Sequence, residues 1–277
     1  MADIDYNSDA TALTAANLEA DDMTFQGSDA LENPKITDYS EIKDAIFNGR
    51  AGGQVLVGGN AANEDLALMS TSHATKGEIQ AGDVSGGNYS YFESDGTIVM
   101  AGNATVFEDA NVGGVTLSGP AASQPDIVEV LDSTGSGTDI FTLGFGTGEK
   151  VSGAIEIPHS YKEDSDISFH VHWSGNAAPS GTDKVKWQLT FTVIPDAGVV
   201  PASTVIVIET DYDTQYERLT SNFPTITGTG FNMGDQFAFS LERIAASTAE
   251  YGGDALVYTV GFHYEKDTLG SRQMVIK

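Results

Sequence analysis

The 277-residue chain has no cysteine and few bases: thirteen Lys and Arg stand against forty Asp and Glu, a formal charge of −27. Without cysteine, disulfides, thiolate metal sites and thiol catalysis are excluded, and the fold does not depend on the redox state of its surroundings. The scarcity of bases, with no basic tract anywhere, argues against a DNA- or RNA-binding role, because phosphate backbones need positive charge. No stretch approaches the roughly 18–20 consecutive apolar residues of a membrane-spanning helix, so membrane insertion is not expected. The first twenty residues, MADIDYNSDATALTAANLEA, lack the basic start and apolar middle of a secretion signal, and export by that route is not expected either. What remains is a strongly acidic polypeptide that repels copies of itself unless salt or cations screen the charge.

Three textures divide the chain. Residues 1–50 carry eleven acids and three bases and little that is apolar. Within them TDYSEIKDAIFN, residues 37–48, places Ile42, Ala45 and Ile46 at helical spacing before an Asn-Gly stop, which predicts one short helix in an otherwise extended arm. Asp3, Asp5, Asn7 and Asp9 have the alternating oxygens of a calcium loop. Ser8 stands where that loop needs glycine, and Thr14 where it needs glutamate, so a solvated acidic terminus is the plainer reading.

Residues 51–125 are short apolar pieces broken by Gly and Asn, such as AGGQVLVGGNAAN and GTIVMAGNATVFEDANVGG. Each piece is too short for an independent sheet. The expectation is a glycine-rich β stalk that gains its core by winding with identical copies, three being the usual number in fibrous assemblies. GGNAAN is not a phosphate-binding loop, since neither the Gly-Lys-Ser/Thr sequence nor a long helix follows it.

Residues 126–277 alternate in the strand period. DIVEVLD, DIFTLGF, SGAIEIPHSY, DISFHVHWSG, VKWQLTFTVIP, TVIVIETDY, ERLTSNF, DQFAFSLERIA and ALVYTVGFHYEKD read as strands separated by Gly-, Pro-, Ser- and Asp-rich turns. In VKWQLTFTV, Val185, Trp187, Leu189, Phe191 and Val193 form one face, and Lys186, Gln188, Thr190 and Thr192 the other. The fold class is therefore all-β, with a C-terminal β-sandwich of jelly-roll type.

The residues with most chemistry lie on one of these strands. In ISFHVHWSG, Phe169, Val171 and Trp173 share a face that reads as core, which puts His170 and His172 together on the opposite face. His263 and Glu265 belong to the last strand. His170, His172 and His263 are thus the candidate metal ligands, although no acid follows His-X-His at the customary interval. A polar face meeting a neighbouring subunit, solvent or ligand is the preferred reading of this strand. No cofactor is expected, and a structural divalent cation is left open.

Other catalytic patterns are missing. There is no Gly-X-Ser-X-Gly elbow. Glu163, Asp164 and Asp166, and Asp211 and Asp213, sit in turn-rich sequence and read as solvated or turn-capping rather than as a glycosidase pair. PHSYKEDSDI, residues 158–167, reads as a corner between strands. Tyr212, Tyr216, Phe223, Phe231, Tyr251 and Tyr264 fall near strand ends, where aromatics can stack on sugars, though most aromatics of a sandwich are core.

Several of these segments, in this order, resemble bacteriophage virion proteins of the tail-fibre and head-fibre kind. The segment GGQVLVGGNAANEDLALMSTSHATKGEI resembles one recurring in tail fibres, and GNATVFEDANVG their downstream connector. IPHSYKEDSDISFHVHW, VKWQLTFTV and GFHYEKDTLGSRQMVIK are similar to a C-terminal domain of phage structural proteins. The resemblance spans Gly52 to Lys277. It implies a homotrimeric fibre or spike in the virion, without catalytic activity and without assigned site residues, displaying a sandwich to a host glycan or protein.

Residues 1–50 would then anchor it to capsid, neck or tail. A head fibre or capsid decoration bound through that arm is an alternative in the same class. A His-dependent metal-binding jelly-roll enzyme and a monomeric carbohydrate-binding module are alternatives of other classes.

Overall fold

The computed structural model of the protein describes Leu68 and residues 77–274. The arm of residues 1–50, the helix expected over 37–48, the acidic run from Asp3 to Asp9, and His73 lie outside the described residues.

Thirteen antiparallel strands make up the described chain. β1 (Ile79–Asp83), β2 (Asn88–Phe92) and β3 (Ile98–Ala101) form a small three-stranded sheet. The sequence expectation placed the pairings of this segment between copies; in the structure the partners of β1, β2 and β3 are one another. Two tight turns, Val84–Gly87 and Asp95–Gly96, let strands this short fold back on themselves. The sheet joins the rest through the Met100 amide, which donates to the Asp267 carbonyl at 2.6 Å, and through Arg272, whose Nη1 is 3.1 Å from Asp95.

The remaining strands build the sandwich. They are β4 (Val106–Gly113), β5 (Asp126–Leu131), β6 (Gly137–Phe145), β7 (Lys150–Glu156), β8 (Ile167–Gly175), β9 (Asp183–Ile194), β10 (Thr204–Tyr212), β11 (Leu219–Asn222), β12 (Gln236–Ile244) and β13 (Ala255–Lys266). One sheet runs β10-β9-β12-β7, and the other β11-β8-β13-β6-β5 with β4 also paired to β13. Taken from β6 onward, the two four-stranded orders β6-β13-β8-β11 and β7-β12-β9-β10 are those of a jelly roll, in which every connection except β9–β10 crosses between the sheets. The nine strands expected between residues 126 and 277 are β5 to β13. Composition groups residues 106–113 with the glycine-rich segment; the structure pairs all eight of them, as β4, with Lys266 back to Thr259 of β13.

Alternation explains the core. Val185, Trp187, Leu189 and Phe191 of β9 are buried, Val193 is half-buried, and the intervening Lys186, Gln188, Thr190 and Thr192 lie outside. Across the sandwich, Phe169 packs 5.3 Å from Phe239 and 5.7 Å from Phe237, and Trp173 lies 6.1 Å from Trp187, ring centre to ring centre. Trp173 keeps its indole N–H satisfied by donating to Ser221 Oγ at 2.8 Å. Of the aromatics that fall near strand ends, Tyr212, Phe223, Tyr251 and Tyr264 belong to this core rather than to the surface.

One cation is built into it. Arg243 of β12 is 1% exposed. Its Nη1 donates to the carbonyls of Phe145 at 2.7 Å and Gly253 at 2.6 Å, and its Nη2 to Glu250 Oε1 at 2.8 Å and to the Tyr251 carbonyl. The guanidinium thereby ties the end of β6 to the β12–β13 connection, a role the planar fork of arginine suits and the point charge of lysine does not. The corner at residues 158–166 is tied as well. Lys162 reaches Glu265 at 2.8 Å, and Asp164 and Asp166 accept the amides of Gly230 and Gly228. Those carboxylates cap turns, as the sequence suggests.

Two outcomes are expected. Arg243→Met strands three backbone carbonyls and Glu250, and should lower stability by about 3–5 kcal/mol in urea unfolding. Burial, reinforced by the nearby Asp164 and Asp166, pushes the Tyr161 hydroxyl up to about 12, and burial does the same for Tyr251. Both side chains stay protonated when folded, whereas the unfolded chain ionises them near pH 10. Their contribution is therefore complete below pH 10 and lost as pH rises from about 10 to about 12, roughly 2 kcal/mol each. Thermal midpoints measured across that range, with Tyr161→Phe flattening the slope, check the sign.

Candidate functional site

The inner faces of β8 and β13 are core, so their outer faces must carry the remaining side chains, and pairing brings those together. His170 lies directly opposite Gly261 of β13, His172 opposite Thr259, and Ser168 opposite His263. On the far edge of β13, His263 lies opposite Asp109 of β4. Three adjacent strands therefore deliver His170, His263 and Asp109 to one spot, with His170 and His263 in a diagonal cross-strand relation. One donor atom from each of the three falls within 4.8 Å of the others.

The geometry is close. His263 Nε2 is 2.9 Å from Asp109 Oδ1, and both side chains are about two-fifths exposed. The His170 ring lies 4.4 Å from that of His263 and 4.7 Å from that of His172, centre to centre. His170 is completely buried, and neither of its ring nitrogens has a hydrogen-bond partner. Burial first, then the charges of His263 and His172, pull its pKa down to about 4, so the ring is a neutral imidazole with a free lone pair at neutral pH.

His172 is engaged differently. Its Nδ1 accepts from Arg218 Nη2 at 2.8 Å and lies 2.9 Å from Thr220 Oγ1. Since arginine only donates, that nitrogen carries no proton, and burial with the Arg218 charge holds the pKa of the ring below its ordinary value. Of the three histidines singled out in the sequence, His170 and His263 face one another with a carboxylate, while His172 is committed to Arg218 and Thr220. His159 stands elsewhere, 2.6 Å from Ser271.

Asp109 escaped the sequence reading. It supplies the carboxylate that the His-X-His strand lacks locally, from a strand about 60 residues earlier in the chain that reaches it only through β13. The available signal was the alternation in VFEDANVG. There Val106, Ala110 and Val112 share one face, exposed at Val106, buried at Ala110 and half-buried at Val112, but Glu108 interrupts the apolar set. It is accommodated by the Tyr264 hydroxyl at 3.1 Å and Lys266 Nζ at 2.8 Å.

Gly261 holds the arrangement together. A Cβ there would stand 2.4 Å from the Ala110 carbonyl oxygen and 2.6 Å from the Asn111 Cβ, both on β4. Only glycine lets β4 approach β13 closely enough for Asp109 to meet His263.

No protein-family model matches the sequence, and no curated protein matches it. Among solved structures, the chain is similar to the CBM36-1 domain of a multidomain xylanase from the hindgut metagenome of Trinervitermes trinervoides, at 13% identity and a TM-score of 0.29, over 57% of this chain and 96% of that one. It is also similar to CBM35 from Cellvibrio japonicus Abf62, at 12% identity and a TM-score of 0.27, over 57% of this chain and 91% of that one. A third is TmCBM61 in complex with β-1,4-galactotriose, at 14% identity and a TM-score of 0.26, over 57% and 87% of the two chains. Superpositions this loose transfer neither ligand nor site residue, and the jelly-roll assignment stands on the strand order itself.

Gly261→Ala is expected to push β4 away from β13. Amide exchange of residues 106–113 should accelerate by at least about 10-fold while β9 and β12 stay protected. Unchanged protection of β4 would contradict the close-approach argument.

Proposed function

We propose that the chain is a non-catalytic structural protein of a bacteriophage virion, a homotrimeric fibre or spike that presents its jelly roll for attachment to a host surface. The observation that carries this reading is an apolar margin on the six-stranded sheet. Phe107 is 74% exposed, Ile127 72%, Ile140 62% and Phe141 52%. They lie on β4, β5 and β6. Among the described residues β4 is hydrogen-bonded only to β13, and β5 only to β6. Apolar side chains beside open strand edges invite pairing with another chain unless something covers them, and a second copy is the simplest cover.

The motif order from Gly52 to Lys277 supports the phage assignment, and residues 1–50 are the part left to dock on the virion. The charge of −27 per chain makes assembly dependent on salt or cations.

Light scattering on the full chain is expected to give a trimer at moderate ionic strength, and Phe107→Asp combined with Ile127→Asp a folded monomer. The purified trimer should compete with intact phage for bacterial cells. A wild-type monomer at every concentration overturns the trimer. A trimer that neither binds cells nor slows adsorption overturns the attachment role.

A further inference from the structure

His170 poses a problem that strand pairing does not resolve. A polar side chain with no exposed surface is nearly always hydrogen-bonded, yet both of its ring nitrogens are without a partner. The groups it faces are not inert filler. An imidazole and a carboxylate, His263 and Asp109, stand beside it, each presenting a donor atom within 4.8 Å of its own. We infer that His170, His263 and Asp109 bind one divalent transition-metal ion of the Zn2+ class, which fastens β4 to β13 and β8.

The donor set selects the ion. Two imidazole nitrogens and one carboxylate suit Zn2+ and its first-row neighbours, whereas Ca2+ and Mg2+ require six or more oxygens or several retained waters. A tetrahedral ion with bonds of about 2.1 Å holds its ligand atoms about 3.4 Å apart. His263 and Asp109 already stand at 2.9 Å, and the full set spans no more than 4.8 Å, so side-chain rotation alone closes the site. Gly261, directly opposite His170, puts no side chain in the way. The exposed flanks of His263 and Asp109 leave room for a water as fourth ligand. His172 stays outside the set: it is not among the residues whose donor atoms converge, and its Nδ1 is engaged by Arg218 and Thr220.

The consequence is mechanical. β4 leads from the glycine-rich segment into the sandwich, and its hold on β13 otherwise consists of backbone pairing along an open edge, the contacts of Glu108 with Tyr264 and Lys266, the Asp109–His263 pair and the burial of Ala110. An ion shared by three strands cross-links that entry point to the centre of the sheet. This inference does not depend on the trimer or on the virion role.

The test uses the full chain, stripped with a chelator and titrated with Zn2+ in a large excess of Mg2+, which occupies the many exposed acids. One Zn2+ per chain is expected. At free Zn2+ about 100-fold above the dissociation constant, the thermal midpoint should rise by roughly 5–10 °C. Co2+ in place of Zn2+ should give visible ligand-field absorption.

Asp109→Asn and His263→Asn should each weaken Zn2+ binding at least about 10-fold. His172→Asn and His159→Asn should leave it unchanged. Asp109 and His263 are partly exposed, so both variants are expected to keep the metal-free midpoint of the parent chain; His263→Gln serves if His263→Asn does not. Failure to bind Zn2+ over Mg2+ overturns the inference. So does equal binding by the Asp109 and His263 variants, or an equal loss on replacing His159.

Discussion

The fold depends on β13 finding partners on both of its edges. β8 runs along one edge from Ala255 to Tyr264, while β6 and then β4 share the other. Without β13 the six-stranded sheet separates into three unconnected pieces, and the aromatic layer it covers loses Val260, Phe262 and Tyr264. Its partners come from residues 106–175, so the pairings that unite the sheet are among the longest-range contacts in the chain. Loop-closure entropy has to be met before any of them stabilises the structure.

A strand in that position has two different duties on its two faces. The inner face supplies apolar bulk to a layer of interlocking rings. The outer face brings His263 against Asp109 on one side and His170 on the other, and it does so where Gly261 lets β4 approach closely. Arg243 performs a comparable service at the far end of the sandwich, where a single guanidinium replaces the regular hydrogen bonds that the β12–β13 connection cannot make. In both cases polar chemistry is positioned by a rigid β framework rather than by a loop.

How much of this was legible follows from the range of each interaction. The strands from β5 to β13 could be read because alternation is local: VKWQLTFTV states its buried face in nine residues. The shared face of His170 and His172 was legible for the same reason. Asp109 was not, because its partner lies in β13 and only strand pairing reveals the contact. Glu108 also disguised β4 as polar linker, since its neutralising partners, Tyr264 and Lys266, are equally remote. The separation of His172 from the other two histidines depends on Arg218, in a loop whose direction no periodicity encodes. Expectations for residues 1–50 fall outside the described residues.

Because β13 follows every one of its partners in the chain, a polypeptide emerging from the ribosome presents β4, β6 and β8 before their central plank has left the exit tunnel. Every strand from β4 to β12 then emerges before the sandwich can close, with β8 and β6 facing an empty slot of matching register. That slot could equally accept β13 from a neighbouring nascent chain on the same message. Exchange of this one strand is the natural error of such a topology, and the interval between the emergence of β12 and that of β13 governs how often a copy closes on itself.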